Sequence, residues 1–359
     1  MTSHLGLRRL FILLAGLGFL AGIWTGLARL GLLTAPTVPD PARHGALMVS
    51  GFLGTLISLE RAVGVGLPAG YLIPLLAGAG SLALVLGVPA PAPQLLGLAA
   101  AVGLVGLYLR ALSRHPDDGL AIMGLGAVLW AGGNVSWWLG RGLAQAADWW
   151  AGFLVLTIMG ERLELSRVAA RPPVAGRLLG LITATLMGGL GLGLLVPEAG
   201  HRLSGLALAA MALWLLKYDV AWVTVRRPGQ VRFIATCLLL GFFWLGVGGL
   251  WWALGPYILA GPAYDGGLHA IFLGFVMSMI FGHALIILPA VAAVPFPFHP
   301  VLYVPLVLLH ASLTARIAGD LAGLSGLRGF GGLFNAVATL LFFLLAVVRS
   351  VTAKSNAKT

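Results

Sequence analysis

Apolar stretches long enough to cross a bilayer follow one another along this chain with only short polar joints between them. A membrane-spanning helix needs roughly 20 residues, and twelve segments reach that length: 10–33, 44–63, 70–88, 92–112, 119–139, 146–165, 177–196, 203–225, 230–254, 266–290, 300–319 and 330–349. Of the 359 residues, 59% are hydrophobic and 9% charged, whereas a water-exposed domain carries about 25% charged residues. In lipid each segment must satisfy its own backbone polar groups, and none shows the period-2 alternation of a barrel strand. The element is therefore the helix. The 52 glycines suit it, because small residues let membrane helices approach closely. The expectation is an all-α polytopic membrane bundle of about twelve transmembrane helices, with almost no mass outside the bilayer.

The net charge of +11 suggests nucleic-acid binding until its distribution is followed. With the N-terminus on one side, most of the basic residues fall on that side, among them Arg8, Arg9, Arg61, Arg162, Arg167, Arg226, Arg227, Arg349 and Lys358. Arg29, Arg43, Arg141, Arg202, Arg316 and Arg328 fall on the other. Short loops rich in Lys and Arg stay in the cytoplasm, which predicts an integral protein of the cytoplasmic (inner) membrane with both termini inside. The basicity is then a topology signal, and nothing points to a nucleic-acid partner. Arg8-Arg9 before an apolar run resembles a secretory signal, but the run is longer than a signal core and reads as the first span. Cys237 is the one cysteine, which excludes an intrachain disulfide and a cysteine-based zinc or iron–sulfur site.

No linker divides the chain, so a single domain, 1–359, is expected, with an internal repeat inside it. The second helix contains Gly51-Phe52, the sixth Gly152-Phe153 and the tenth Gly274-Phe275. In each, an apolar run carrying a hydroxyl residue leads to a polar residue nine positions after the glycine: Glu60, Glu161 and His283. Being helices two, six and ten, they imply a repeat of four helices, roughly 1–116, 117–228 and 229–359, around a pseudo-threefold axis. Gly-Phe pairs and Glu-Arg pairs at membrane ends are common, so coincidence is the competing explanation.

Ionisable residues inside a bilayer are costly and mark functional sites by default. Four histidines lie in or at the edge of helices: His44, His269, His283 and His310. His44 opens the second helix in Arg43-His44-Gly45-Ala46-Leu47-Met48, and His269 opens the tenth in Asp265-Gly266-Gly267-Leu268-His269-Ala270. One precedes its repeat glycine by seven residues and the other by five, a height difference of about 3 Å at 1.5 Å per residue. Two imidazoles so placed suit the two axial positions of one haem iron, with the neighbouring glycines leaving room for a flat macrocycle. The alternative is that each histidine caps a helix start against loop carbonyls. His283 follows Met279 by one turn, a pair of soft ligands that would favour Cu(I), although methionine in a membrane helix is ordinarily packing. His310 is equally a hydrogen-bonded core residue.

Glu60-Arg61 and Glu161-Arg162 at inner helix ends read as interfacial ion pairs or, more sharply, as a path for protons, with Glu164 a further acidic candidate. Asp219, beside Lys217 and Tyr218, sits deeper and calls for a partner on another helix. Arg316 and Arg328 flank a loop on the outer side, where guanidinium groups pair well with carboxylates such as haem propionates; local pairing of Arg316 with Asp320 is the other reading. There is no P-loop, HExxH, GxSxG or CxxCH, so any haem is non-covalent and b-like.

These residues give the chain a resemblance. A twelve-helix plan in three arcs, His44-Gly45-x-x-Met48 opening the second helix and His269 opening the tenth, resembles the catalytic subunit I of haem–copper oxidases. Through His269-Ala270-x-x-Leu273-Gly274-Phe275 to Gly282-His283-Ala284 it is more similar to NnrS-type membrane proteins, a group associated with haem, copper and nitric oxide. The resemblance implies a bis-histidine haem b held by His44 and His269, matches Arg316 and Arg328 loosely to an arginine-bearing outer loop, and leaves His283 as a copper candidate. It also implies an absence. Oxidases take copper ligands from helices six and seven, and neither 146–165 nor 177–196 contains a histidine. A complete oxidase-type copper site is therefore not expected, and whether the chain is an enzyme stays open.

Three functions compete: a haem protein of nitric oxide metabolism or electron transfer, with an unidentified redox partner; a secondary transporter or copper permease using Asp219, Lys217 and His283; and an assembly partner of another membrane complex. A threefold repeat argues against the second, because transporters of this size usually carry twofold or inverted repeats.

Overall fold

The structure is a computed structural model, and it describes residues 4–33, 40–166 and 171–356. Arg167 and Lys358, two of the basic residues counted above, lie outside them. The described residues are helical with no strand. Among the described residues, twelve helices are long and apolar enough to cross a membrane: α1 Leu5–Arg29, α2 Pro41–Val65, α3 Pro68–Val85, α4 Ala92–Arg114, α5 Asp118–Trp138, α6 Leu143–Leu165, α7 Pro173–Leu192, α8 Pro197–Tyr218, α9 Gln230–Leu254, α10 Gly261–Ala292, α11 Pro300–Ala322 and α12 Ser325–Ala353.

Proline sets many of these starts. It stands in the first turn of α2, α3, α4, α7, α8, α10 and α11, where its missing N–H has no partner to lose and its φ is already helical. That is why α7 and α8 begin four and six residues before their apolar runs. At the other end, Gly66 and Gly323 close α2 and α11 with φ of 68° and 67°, a left-handed conformation that favours glycine. α1 takes in Arg8 and Arg9, and Arg8 Nε reaches the Tyr71 hydroxyl at 3.0 Å.

The surface is inverted relative to a soluble protein. Leu13, Leu109, Leu181, Leu213 and Val307 are each more than 60% exposed, while Ser50, Thr55, Ser58, Asn134, Ser278 and Thr339 are buried. Such a molecule needs lipid around it, and its internal hydroxyls largely satisfy themselves on the carbonyl one turn back, as Thr55 does on Gly51 O at 2.6 Å and Ser278 on Gly274 O at 2.6 Å. It is an integral membrane bundle.

The chain groups into two compact units. The first contains 1–161 and 287–293; the second contains 162–286 and 294–359. The core of the first includes Phe11, Leu59, Ala62, Tyr71 and Val291. In the second, Trp244, Ala270, Leu313 and Ile317 pack together.

Candidate functional site

Asp40 caps the turn Pro41–Arg43, which leads into α2 and puts His44 on its first helical turn. The wall facing His44 is a stripe of glycines four residues apart on α1: Gly18, Gly22 and Gly26. A Cβ on Gly26 would lie 2.9 Å from the His44 ring, and one on Gly22 would lie 2.5 Å from the Met48 sulfur. Small residues thus let α1 press against α2 and bring the Gly22 carbonyl to 2.7 Å from His44 Nδ1. A carbonyl only accepts, so Nδ1 carries a hydrogen. Beyond Gly45 lies Trp150, 4.0 Å from where a Cβ would stand.

His269 is treated the same way in the second unit. Its Nδ1 lies 2.8 Å from the Asp265 carbonyl oxygen and 3.3 Å from Asp265 Oδ1, so Nδ1 carries a hydrogen here too. The glycines before it are packed: Cβ atoms on Gly266 and Gly267 would meet Trp251 at 3.3 and 3.0 Å. The room expected there for a macrocycle is filled by indole.

Both histidines are followed by the same irregularity. Leu47–Leu53 in α2 and Ala270–Met277 in α10 are π-helical. With Gly51 set against Gly274, the two segments begin at the same register, and the hydroxyls of Thr55 and Ser278 fall together just beyond. The helix α6 is α throughout. Single π turns inside α-helices are uncommon and concentrate at functional sites. The helices α2 and α10 thus share a backbone feature that α6 lacks.

Arg316 and Arg328 come together with His269, through a residue that sequence reasoning passed over. Asp265 Oδ2 accepts from Arg316 Nε at 3.1 Å and Nη2 at 2.7 Å, and Arg328 Nη2 stands 3.4 Å away. Arg328 Nε is 2.8 Å from Asp320 Oδ1. Two carboxylates and two guanidiniums from α10, α11 and α12 thus form one network beside His269. Reciprocal glycine contacts hold it: a Cβ on Gly319 would strike Arg328 N at 2.5 Å, and one on Gly331 would strike Arg316 N at 2.5 Å. Asp265 reads in sequence as a polar residue among glycines, and only the arginines' separation across two helices and a turn hides their convergence on it.

His310 is a bonded core residue. Trp244 Nε1 donates to its Nδ1 at 2.9 Å, and its Nε2 lies 3.2 Å from Ser278 Oγ. His283 is buried in α10, and the methyl of Met279 packs against Gly241 on α9. Among the described residues no three His, Cys, Asp or Glu side chains gather to hold a metal ion.

Asp219 finds its partner on another helix, as expected, but not from within a span. The helix α8 ends at Tyr218, and Asp219 Oδ1 accepts from Ala221 N at 2.8 Å to start the next turn. Arg162 Nε and Nη2 each donate to its carboxylate at 2.9 Å. Ser166 Oγ donates to Arg162 O and accepts from Arg171, whose guanidinium lies 5.6 Å from the Trp214 ring centre. Burial holds Arg171 below its ordinary pKa, with Asp219 acting in the opposite direction. In the first unit Arg61 lies 3.2 Å from Glu60 and 3.8 Å from Glu161, an ion-pair cluster of the ordinary kind.

The second unit thus unites His269, Arg316 and Arg328, while His44 is held within the first and His283 lies further along α10. No curated protein and no solved structure matches the chain. Residues 8–351 match the family described as Domain of unknown function (DUF8744), and the chain belongs to that family.

Proposed function

We propose that this integral membrane protein binds a b-type haem through His44 and His269 and serves one-electron transfer or nitric oxide metabolism, in the manner of the oxidase-like and NnrS-type proteins it resembles in sequence. The observation that carries the reading is the shared preparation of the two imidazoles. Each stands just before a π segment, and each has Nδ1 committed to a backbone carbonyl. A ligating histidine characteristically donates its other ring N–H to a carbonyl or carboxylate, which fixes its tautomer and orientation. The donor set is two imidazoles, each with Nδ1 turned to a backbone carbonyl.

A bound haem supplies reversible one-electron transfer. The chain's own residues hold the ligand rings in place, keep charges paired in the apolar interior, and exclude water through the tryptophans about His269. The arginines at positions 316 and 328 act on this reading through Asp265 rather than on propionates alone. Copper has less support, since among the described residues no three His, Cys, Asp or Glu side chains gather to hold a metal ion. We place the protein in the cytoplasmic membrane with both termini inside, on the asymmetry of its basic residues.

The test is an absorption spectrum of detergent-purified protein, oxidised by air, reduced by dithionite and then exposed to carbon monoxide. Sharp reduced bands unmoved by carbon monoxide, lost in both His44→Ala and His269→Ala, support the reading. Bands that shift with carbon monoxide overturn the two-histidine ligation. A featureless spectrum from cells well supplied with haem overturns haem binding itself.

A further inference from the structure

In the second unit, the cluster around Asp219 carries more positive charge than its carboxylate cancels. Asp219 is fully engaged: its two oxygens take Arg162 Nε and Nη2, each at 2.9 Å, and Oδ1 also takes Ala221 N. Arg171, from the joint between α6 and α7, brings a second guanidinium. Its Nη2 donates to the neutral Ser166 hydroxyl, and its Nε is buried with no hydrogen-bond partner. It also stands two residues before Pro173, at the start of a helix with no side-chain cap, where the helix dipole disfavours a cation and favours an anion. Lys217 adds a further charge. Trp214 and Tyr218, one turn apart on α8, have ring centres 5.4 Å apart. The Arg171 guanidinium lies 5.6 Å from the first ring centre and Lys217 Nζ 5.3 Å from the second. Among the described residues neither cation is ion-paired with a carboxylate.

Below these two cations the surface is apolar. On α7, Val174, Leu178 and Leu181 share one face, and all are exposed. On α8, Leu213 and Leu206 lie four and eleven residues before Lys217, on its own face, and are exposed too. The Trp214 indole ties the helices together by donating to Ala175 O at 2.8 Å. Just past α8, Trp222 is 53% exposed and donates to Leu216 O at 2.7 Å, the setting of a tryptophan that marks a membrane interface. We propose that Arg171 and Lys217 hold the phosphate of an anionic phospholipid, whose acyl chains lie along the exposed stripes of α7 and α8. A free phosphate would use the cations and leave the stripes without a role. The assignment does not depend on haem.

The experiment follows tritiated dioleoyl phosphatidylglycerol retained by the full-length protein in detergent. Unlabelled phosphatidylglycerol should displace it, while dioleoyl phosphatidylcholine and millimolar inorganic phosphate should not. Arg171→Gln and Lys217→Gln should each weaken retention about fivefold, the worth of one cation against anionic lipid, and Arg171→Lys should hold it. Lys217 is exposed, so its variant tests the site without disturbing packing. Arg110→Gln/Arg114→Gln, an exposed pair at the end of α4, removes two charges elsewhere and should change nothing. Equal displacement by phosphatidylcholine overturns the selectivity for an anionic headgroup, and displacement by inorganic phosphate makes this a site for the free anion. An equal loss in the α4 pair reduces the effect to general surface charge, and unchanged retention in both Arg171→Gln and Lys217→Gln removes these residues from it.

Discussion

At the scale of single residues, the costliest groups in this chain are its buried ions, and each that matters here has an opposite charge. Arg162 and Asp219 are the clearest case, with side chains 6% and 1% exposed and two parallel contacts of 2.9 Å. Removing one partner of such a pair strands a buried charge and costs about 3–5 kcal/mol, whereas replacing both by apolar residues is often neutral. Asp219→Asn should therefore lower the detergent unfolding midpoint sharply, and Arg162→Met/Asp219→Leu should recover most of it in the same thermal assay. That Asp219 needed a partner was legible in the sequence, because a carboxylate so near lipid must have one. Which partner was not: Glu161 stands next to Arg162 in the chain, and nothing in a linear sequence shows that the guanidinium turns to α8. Asp265 escaped for a related reason, since an aspartate before two glycines looks like a loop or a cap.

At the scale of elements, the spans were readable from their apolar length, and their limits less so. Apolarity fades before hydrogen bonding does, so α7 and α8 start earlier at prolines, and α12 runs on past the apolar core. The π segments were not readable at all, because a shifted hydrogen-bond register needs no special residue. They make a sharp prediction. Deleting Val49 removes the surplus residue and lets that stretch close to α-helical register with His44 still on its face, whereas deleting Leu56 from the α-helical part turns His44 by about 100° relative to the residues beyond it, so only the second variant should lose the His44-dependent part of any haem spectrum. The glycine stripe on α1 makes another. Gly26→Val forces a side chain into the His44 ring, while Gly16, whose Cβ would meet nothing within 4 Å, accepts valine. Haem content per protein should fall in the first variant and hold in the second, with both reaching the membrane in similar amounts.

At the scale of the whole molecule, the proposed topology has twelve spans that return the C-terminus to the side on which the chain began, with the basic residues keeping that side in the cytoplasm. A fluorescent protein fused to the C-terminus should be bright and an alkaline phosphatase fused there inactive; the reverse result would invert the topology. The bundle itself was legible because lipid allows so few solutions to a chain this apolar. One feature of it bears on the faces its helices present. A π turn is an α-helical turn holding one surplus residue. Wide turns at matching registers in α2 and α10, with none in α6, let those two helices carry that residue without turning the face they present beyond it.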